Sequence, residues 1–314
     1  MMNEVQSLLK EHEKITIVTH LNPDADTIGT ALGIYGILKN MGKQVEVVNY
    51  EKRLPLQLDF LPNYSKIKHH IDYENSLIIV CDSSSLDIVG FNLMGRTILN
   101  IDHHKSNTQF GLLNIVDSKA VSASQVAYML FKDDYKITRD IATCFYTALV
   151  ADTQYFTTNN VSKEIFSLAF ELITYGVNIV EVVENVIRRR SLASIRILSS
   201  SLNTLQLERD GQVAFLFARR QKMLEAGADI LDTIGIIDYG ISMATVDIAI
   251  ILIELENSIR VSMRSKAIDV SELAVLFGGG GHPNAAGFEI KNIKEKELLT
   301  MIREEINKIG LVDA

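Results

Sequence analysis

The chain has 314 residues, of which 47% are hydrophobic and 22% charged, with 18 glycines and 4 prolines; this is globular composition and excludes a collagen-like or disordered protein. The length suits two domains of ordinary size, each able to bury its own core. A net charge of −8 excludes a tight, non-specific grip on long duplex nucleic acid by the surface as a whole, while a small anionic substrate can still be held by a local cluster of metals and basic groups.

In chain order, the first strand signal is the β-branched run Ile15-Thr16-Ile17-Val18-Thr19-His20. A helical pattern over 27–41 follows, closed by Gly42 as a C-cap, and then a strand over 44–48. Two further apolar runs, 77–82 and 97–102, end in Asp82 and Asp102. Near-continuous apolar runs of this length read as strands buried on both faces, as in a parallel sheet. In open α/β sheets ligands bind at the carboxyl edge, where these polar residues collect. From 122 to about 190 the pattern is mostly helical, with Ser122-Ala123-Ser124 as a helix entry and an apolar stretch over 141–151 that ends at Asp152. The segment 191–210 has few signals beyond helix formers. Strand patterns return at 213–217, 246–255 and 259–263, before a helix over 270–277, the glycine run 278–281, a strand over 287–290 and a charged helix. The expected class is α/β: residues 1–190 form an N-terminal domain with a mostly parallel sheet flanked by helices, 191–210 a linker, and 211–314 a smaller C-terminal α/β domain.

The most informative segment is His20-Leu21-Asn22-Pro23-Asp24-Ala25-Asp26-Thr27-Ile28-Gly29, directly after a strand and opening a helix. His20, Asp24 and Asp26 can aim at neighbouring points across a turn that Pro23 and Gly29 are expected to fix. Two carboxylates this close repel unless positive charge lies between them, and a bound divalent metal supplies it. The plainer reading is that both cap the following helix, where Asp is favoured. Metal binding gains weight because Asp82, Asp102-His103-His104 and Asp152 also fall at element ends. Oxygen and imidazole donors without thiolate suit manganese- or magnesium-class ions, imidazole favouring manganese. His69-His70 is read as a surface pair without a role. Near the other end, Gly278-Gly279-Gly280-Gly281-His282 offers unobstructed backbone N–H groups that suit an anion; four glycines can also be only a flexible loop, but the small residues Ala285-Ala286-Gly287 after His282 imply close backbone packing. Arg264-Ser265 follows a predicted strand, and Arg can meet phosphate bidentately.

These residues resemble the DHH/DHHA1 phosphoesterase superfamily over nearly the whole chain: HxxPDxDxxG at 20–29, an Asp after a buried strand at Asp82, Asp102-His103-His104, Asp152-Thr153, then Arg264-Ser265 and GGGH at 279–282. In size and arrangement the chain is similar to the short bacterial members that degrade very short oligoribonucleotides and dephosphorylate adenosine 3′,5′-bisphosphate (PAP). The resemblance implies a hydrolase with two divalent metal ions, manganese first and magnesium or cobalt as substitutes. One ion would be held by His20, Asp24 and Asp82, the other by Asp26, Asp82, His103 and Asp152, so that Asp82 bridges. It further implies that His104 contacts the phosphate, that Asp102 orients the motif, and that Arg264, Ser265, His282 and the backbone of Gly280 and Gly281 close over the substrate's other end. One departure is Gln154, where members often have Gly after Asp-Thr; it bears on substrate preference more than on metal binding.

Other readings differ in what they require. A manganese pyrophosphatase shares the N-terminal pattern but lacks the GGGH segment, whereas a cyclic- or linear-dinucleotide phosphodiesterase would use the same two domains and stays open. A non-catalytic nucleotide-binding module would have no need of intact ligand positions. Arg188-Arg189-Arg190 reads as a solvated helix end rather than a nucleic-acid contact. Two cysteines, Cys81 and Cys144, are too few for a disulfide framework and fit a reducing compartment; Cys81, beside Asp82, reads as a small buried filler. A cytoplasmic location is expected, since the N-terminus lacks a basic stretch followed by an apolar one and the longest apolar run, 248–253, is too short to cross a bilayer. Expected partners are short oligoribonucleotides or nucleotide bisphosphates, not long duplexes or membranes; a homodimer is left open.

Overall fold

The structure, a computed structural model, describes residues 2–308 and divides into two compact units that part between Arg189 and Arg190. In the first unit α1 (Met2–Glu11), β1 (Lys14–Val18), α2 (Ala25–Asn40), β2 (Gln44–Val48), β3 (Ile67–Lys68), β4 (Leu77–Cys81), β5 (Ile98–Asp102) and β6 (Leu113–Val116) precede α3 (Ala123–Phe131), α4 (Arg139–Asp152), α5 (Lys163–Thr174) and α6 (Ile179–Val183). The strands form one sheet in the order β3-β2-β1-β4-β5-β6, every pair parallel. β4 and β5 are buried at every residue, so their apolar runs are unbroken: a parallel strand covered on both faces has no polar side to alternate with. From β1 the chain first builds outward to β2 and β3, then resumes with β4 on the other side of β1. Such a reversal opens a crevice at the carboxyl ends of the two central strands. His20 and Asp82 stand just past those ends.

α2 meets α4 through a line of glycines. A Cβ on Gly29 would stand 2.6 Å from the Cys144 carbonyl oxygen, one on Gly33 2.4 Å from the Phe145 ring, and one on Gly36 2.7 Å from Ile141. A Cβ on Gly29 would also stand 2.9 Å from the Ala148 Cβ, so Gly29, Gly33 and Gly36 face Ala148, Phe145 and Ile141 in descending order. The helices are antiparallel, and the start of α2, with Asp26, lies at the end of α4, with Asp152. Gly29 does not fix the turn after His20, as the sequence suggested. It lies inside α2, where the absence of a side chain lets the helices approach.

The second unit contains α7 (Leu192–Leu202), β7 (Gln206–Glu208), β8 (Val213–Ala218), α8 (Arg220–Ala226), α9 (Ile236–Ile241), β9 (Ile248–Glu254), β10 (Ser258–Ser265), α10 (Val270–Leu276), β11 (Gly280–His282), β12 (Ala285–Lys291) and α11 (Glu295–Lys308). Its sheet runs β11-β12-β10-β9-β8-β7, with β8 and β9 parallel and the other neighbours antiparallel. Apolar clusters cover both faces, one including Phe215, Ile250 and Val261, the other Leu216, Ile251 and Ile197.

Two segments differ from the sequence reading. Residues 191–210 are not a bare linker: the Ser194 N–H donates to Ser191 Oγ at 2.8 Å to cap α7, Ile197 is fully buried, and β7 extends the sheet. The helix formers there were a helix signal. The glycine run is not a flexible loop throughout: Gly280 and Gly281 enter a strand, since Gly280–His282 pairs antiparallel with β12, as the close packing implied by the small residues after His282 requires. A Cβ would stand 2.2 Å from the Gly287 oxygen at Gly279 and 2.5 Å from the Ala285 oxygen at Gly281, whose φ is +144°, whereas nothing crowds Gly280. Close backbone passage, rather than flexibility, requires glycine at those two positions. Among the described residues no single helix is long and apolar enough to cross a membrane.

Candidate metal centre

At the carboxyl edge of the first sheet the expected acidic and imidazole side chains converge. Three overlapping groups, His20/Asp24/Asp82, Asp26/His103/Asp152 and Asp82/His103/His104, each have ligand atoms within 4.8 Å of one another. Asp82 lies at the junction: its Oδ2 is 3.4 Å from His20 Nε2 and its Oδ1 is 3.5 Å from His103 Nε2. His103 Nε2 is also 3.6 Å from Asp152 Oδ2 and 3.8 Å from Asp26 Oδ2, and His20 Nε2 is 3.8 Å from Asp24 Oδ1.

Each side chain is placed by a local cause. Asp24 caps α2, its Oδ1 accepting the N–H groups of Asp26 and Thr27 at 3.0 Å each, so capping and membership of the His20 group coexist. Asp26 is not a cap. Its carboxylate accepts the N–H groups of Ala123 and Ser124 at 2.6 and 3.1 Å and the Thr30 hydroxyl at 3.1 Å, which seats an anion on the N-terminus of α3. Asp82 leaves β4 with φ +53°, a left-handed conformation that Asp tolerates better than most residues. His20 Nδ1 donates to the Leu21 carbonyl at 2.7 Å and His103 Nδ1 to the Ala120 carbonyl at 3.3 Å; this assigns the tautomers and turns both Nε2 atoms to the carboxylates. Asp102, fully buried, accepts from His104 Nδ1 at 2.7 Å. Asp152 ends α4, and Gln154, Tyr155 and Phe156 then follow at φ +46°, +65° and +64°. At Gln154 this is a conformation glycine adopts freely, and a residue with a Cβ gives up about 1 kcal/mol to hold it.

The donor set fits divalent cations. Asp82 Oδ1 is buried and makes no hydrogen bond among the described residues. Burial and the charge of Asp82 push Asp26 up to about 7, and burial together with the charge of Asp26 pushes Asp152 well above the usual carboxylate range. Burial works to lower the imidazoles, but the facing carboxylates, Asp82 above all, outweigh it and raise His20 and His103 to about 10. Burial would likewise raise Asp82, yet the two imidazoles hold it well below its ordinary value. A cluster that draws protons onto acids and bases alike is short of positive charge, which bound cations supply. Oxygen and imidazole donors without thiolate select hard or borderline ions. Cys81 is no exception, since burial pushes its thiol far up.

Other residues singled out in the sequence are placed as follows. His69 Nδ1 lies 3.3 Å from the Asn49 carbonyl and His70 pairs with Asp72 at 3.0 Å, and neither belongs to the three groups above. Arg188 pairs with Glu184, Arg189 with Asp59, and Arg190 donates to the Ile234 carbonyl at 3.2 Å. In the second unit, the Arg264 Nε is buried without a hydrogen-bond partner among the described residues and lies 3.8 Å from Asp238 Oδ1. Ser265 is buried, and its Oγ accepts the Ile268 N–H at 2.8 Å, so its hydroxyl serves the turn after β10. Arg264 and His282 both pair with Ala285, from opposite sides of β12. They therefore occupy one cross-strand row, whose side chains share a face. Gly280 and Gly281 lie beside them in β11. Sequence reasoning missed Asn107 and Asn49. Asn49 Nδ2 donates to the His20 carbonyl at 2.8 Å; polar residues just past strand ends were the only available sign.

Residues 14–149 match the DHH family, N-terminal domain, and residues 210–308 the DHHA1 domain. The chain is 31% identical over 319 residues to the bifunctional oligoribonuclease and PAP phosphatase NrnA of Thermus thermophilus, across 98% of this chain and 95% of that one. It is 24% identical over 314 residues to the protein of the same name from Bacillus subtilis, across 98% and 99% of the two chains. A solved structure, an exopolyphosphatase-related protein from Bacteroides fragilis, is similar in fold with a TM-score of 0.88 at 24% identity, across 98% of this chain and 96% of that one.

Proposed function

The chain belongs to the DHH/DHHA1 phosphoesterase family, and from that premise we propose that it hydrolyses very short oligoribonucleotides such as pApA to mononucleotides, and PAP to AMP, with manganese. The observation that carries this reading is Asp82, one carboxylate that offers an oxygen to each of two imidazole–carboxylate groups. That arrangement suits two cations sharing a ligand: His20, Asp24 and Asp82 for one, Asp26, Asp82, His103 and Asp152 for the other. Bound there, the ions would supply charge to offset that developing on the transferring phosphoryl group and would make water a nucleophile at neutral pH.

The chain's own residues set the geometry. Asp26 is held by the start of α3, and the Nδ1 contacts of His20 and His103 with backbone carbonyls keep each Nε2 aimed inward. His104, its Nδ1 engaged by Asp102, meets a phosphate oxygen through Nε2. Arg264 and His282, in one row of the second sheet, bind a further anionic group of the substrate with the backbone of Gly280 and Gly281. A second anion-binding group suits pApA and PAP, each of which carries two phosphate groups. The names of the relatives support the same substrates, and the imidazoles among the donors favour manganese over magnesium. Both cysteines are free thiols, in keeping with a cytoplasmic setting.

The test is a substrate panel with manganese: pApA, longer RNA oligomers, PAP, linear and cyclic dinucleotides, and pyrophosphate, with products identified. AMP released from pApA and PAP is the expected result. Turnover confined to pyrophosphate or cyclic dinucleotides would overturn the reading.

A further inference from the structure

Asn107 follows the Asp102-His103-His104 motif and carries an unusual share of its hydrogen bonding. Its Nδ2 lies 2.6 Å from Asp102 Oδ2, 2.8 Å from Asn100 Oδ1 and 3.1 Å from the Ser83 carbonyl oxygen, and its Oδ1 accepts the Gln109 N–H at 2.7 Å. Asn100 Nδ2 in turn donates to the same Ser83 carbonyl at 3.3 Å. One amide therefore ties the carboxyl end of β5 to the turn that follows Asp82. Asp102 is fully buried, and its two oxygens are divided: Oδ1 faces His104 Nδ1 at 2.7 Å and Oδ2 faces Asn107.

We propose that Asn107 is a positioning residue for the hydrolysis, acting through Asp102 to fix the orientation and tautomer of His104. The consequence for catalysis rests on the phosphoesterase reading; the geometry does not. A carboxylate has two equivalent oxygens and can turn about its own bonds. With Oδ2 held by Asn107, the plane of Asp102 is set and Oδ1 presents itself to His104 Nδ1. Without the amide, Oδ2 is a buried acceptor lacking its donor, and Asp102 turns toward Asn100 or admits water to satisfy it. Either response loosens the His104 contact, and an imidazole without a fixed acceptor can exchange tautomers.

The experiment uses the full chain with manganese and pApA. N107A should lower kcat by about ten- to a hundredfold, the range for partners that orient functional groups, with KM and manganese affinity each changed less than about threefold. N107D keeps the size of the side chain but replaces the donor with a carboxylate facing Asp102, and should fall at least as far; wild-type activity in N107D would reduce Asn107 to a space filler and overturn the proposal. In an H104A background N107A should cost less than about a further twofold, because residues acting through one another are not additive; a full additional loss would also overturn it. N107S, whose hydroxyl can donate, should fall between wild type and N107A and serves if the other variants fail to fold. Nitrogen-15 spectra of the metal-free protein, taken at alkaline pH where the imidazole is neutral, give a readout independent of turnover. His104 should show a single Nδ1-protonated tautomer in the wild type and exchange in N107A, and an unchanged tautomer in N107A counts against the assignment. If wild-type protein leaves pApA intact, the hydrolase reading fails, while these spectra still decide the role of Asn107.

Discussion

Asp82 Oδ1 and His103 Nε2 face each other at 3.5 Å without making a hydrogen bond, an arrangement that suits two ligands of one cation. Asp82→Ala or His103→Ala should each lower manganese-dependent hydrolysis of pApA by at least about a thousandfold, equivalent to about 4 kcal/mol of barrier. Both variants should stay folded, since each truncates one side chain at the rim of the sheet and leaves the apolar core of the unit intact. Steady-state rates with circular dichroism as the fold control check this; retained turnover in both variants would remove the two-ion mechanism.

The metal-free protein should lose stability as pH rises. His20 and His103 are raised to about 10 from 6.5, and Asp26 to about 7 from 3.8. Each binds protons more tightly folded than unfolded, so its contribution is present below the unfolded value and lost as pH climbs through the folded one. The windows are about 4–7 for Asp26 and about 6.5–10 for the imidazoles. Asp82, lowered instead, adds stability that disappears toward acid. With chelator present, the melting temperature should therefore drop between about pH 6 and pH 9. Manganese should raise it, by about 2.7 kcal/mol of stability at a hundred times the dissociation constant, and should narrow the pH difference. A chelated protein as stable at the alkaline end as near pH 6 would contradict the charge balance described above.

The parts of this site legible in the sequence are those with strong local signals. β4 and β5 were readable because both faces are covered, which leaves long apolar runs with Asp82 and Asp102 at their ends. α1 was not, since only Val5 and Leu9 of its ten residues are buried. The seating of Asp26 on α3 joins residues 97 positions apart, and nothing in the spacing foretells it. Asn107 resembles any polar loop residue until Ser83 and Asp102 are seen beside it. The small residues after His282 hinted at close backbone packing near the glycine run, but which glycines need it, Gly279 and Gly281 and not Gly280, depends on where β12 passes, a tertiary fact.

Gly33→Ala tests whether α2 and α4 set the spacing of the site. In an isolated helix alanine would gain about 1 kcal/mol over glycine. Here its Cβ would sit 2.4 Å from the Phe145 ring, and overpacking of this kind costs about 1–3 kcal/mol. The variant should be less stable by about 1 kcal/mol net, and Gly33→Val more so. Because Asp26 and Asp152 stand at the facing ends of these helices, manganese affinity should fall as well. Calorimetry of both variants decides; a Gly33→Ala protein with unchanged melting and metal affinity would mean that the helices part freely.

Arg264 and His282 share Ala285 as their strand partner, and their substitution separates substrate capture from metal binding. Arg264→Ala and His282→Ala should each raise KM for pApA by about ten- to a hundredfold, the effect of losing a charge-assisted hydrogen bond of about 1.5–3 kcal/mol. Manganese affinity, measured by titration calorimetry, should stay at the wild-type value. Arg264→Lys should recover only part of the loss, because an ammonium cannot reproduce the planar fork of the guanidinium on a phosphate. Unchanged kinetics in both alanine variants would take the second unit out of substrate binding and leave Asp238, 3.8 Å from the Arg264 Nε, as the partner that explains why an arginine stands there.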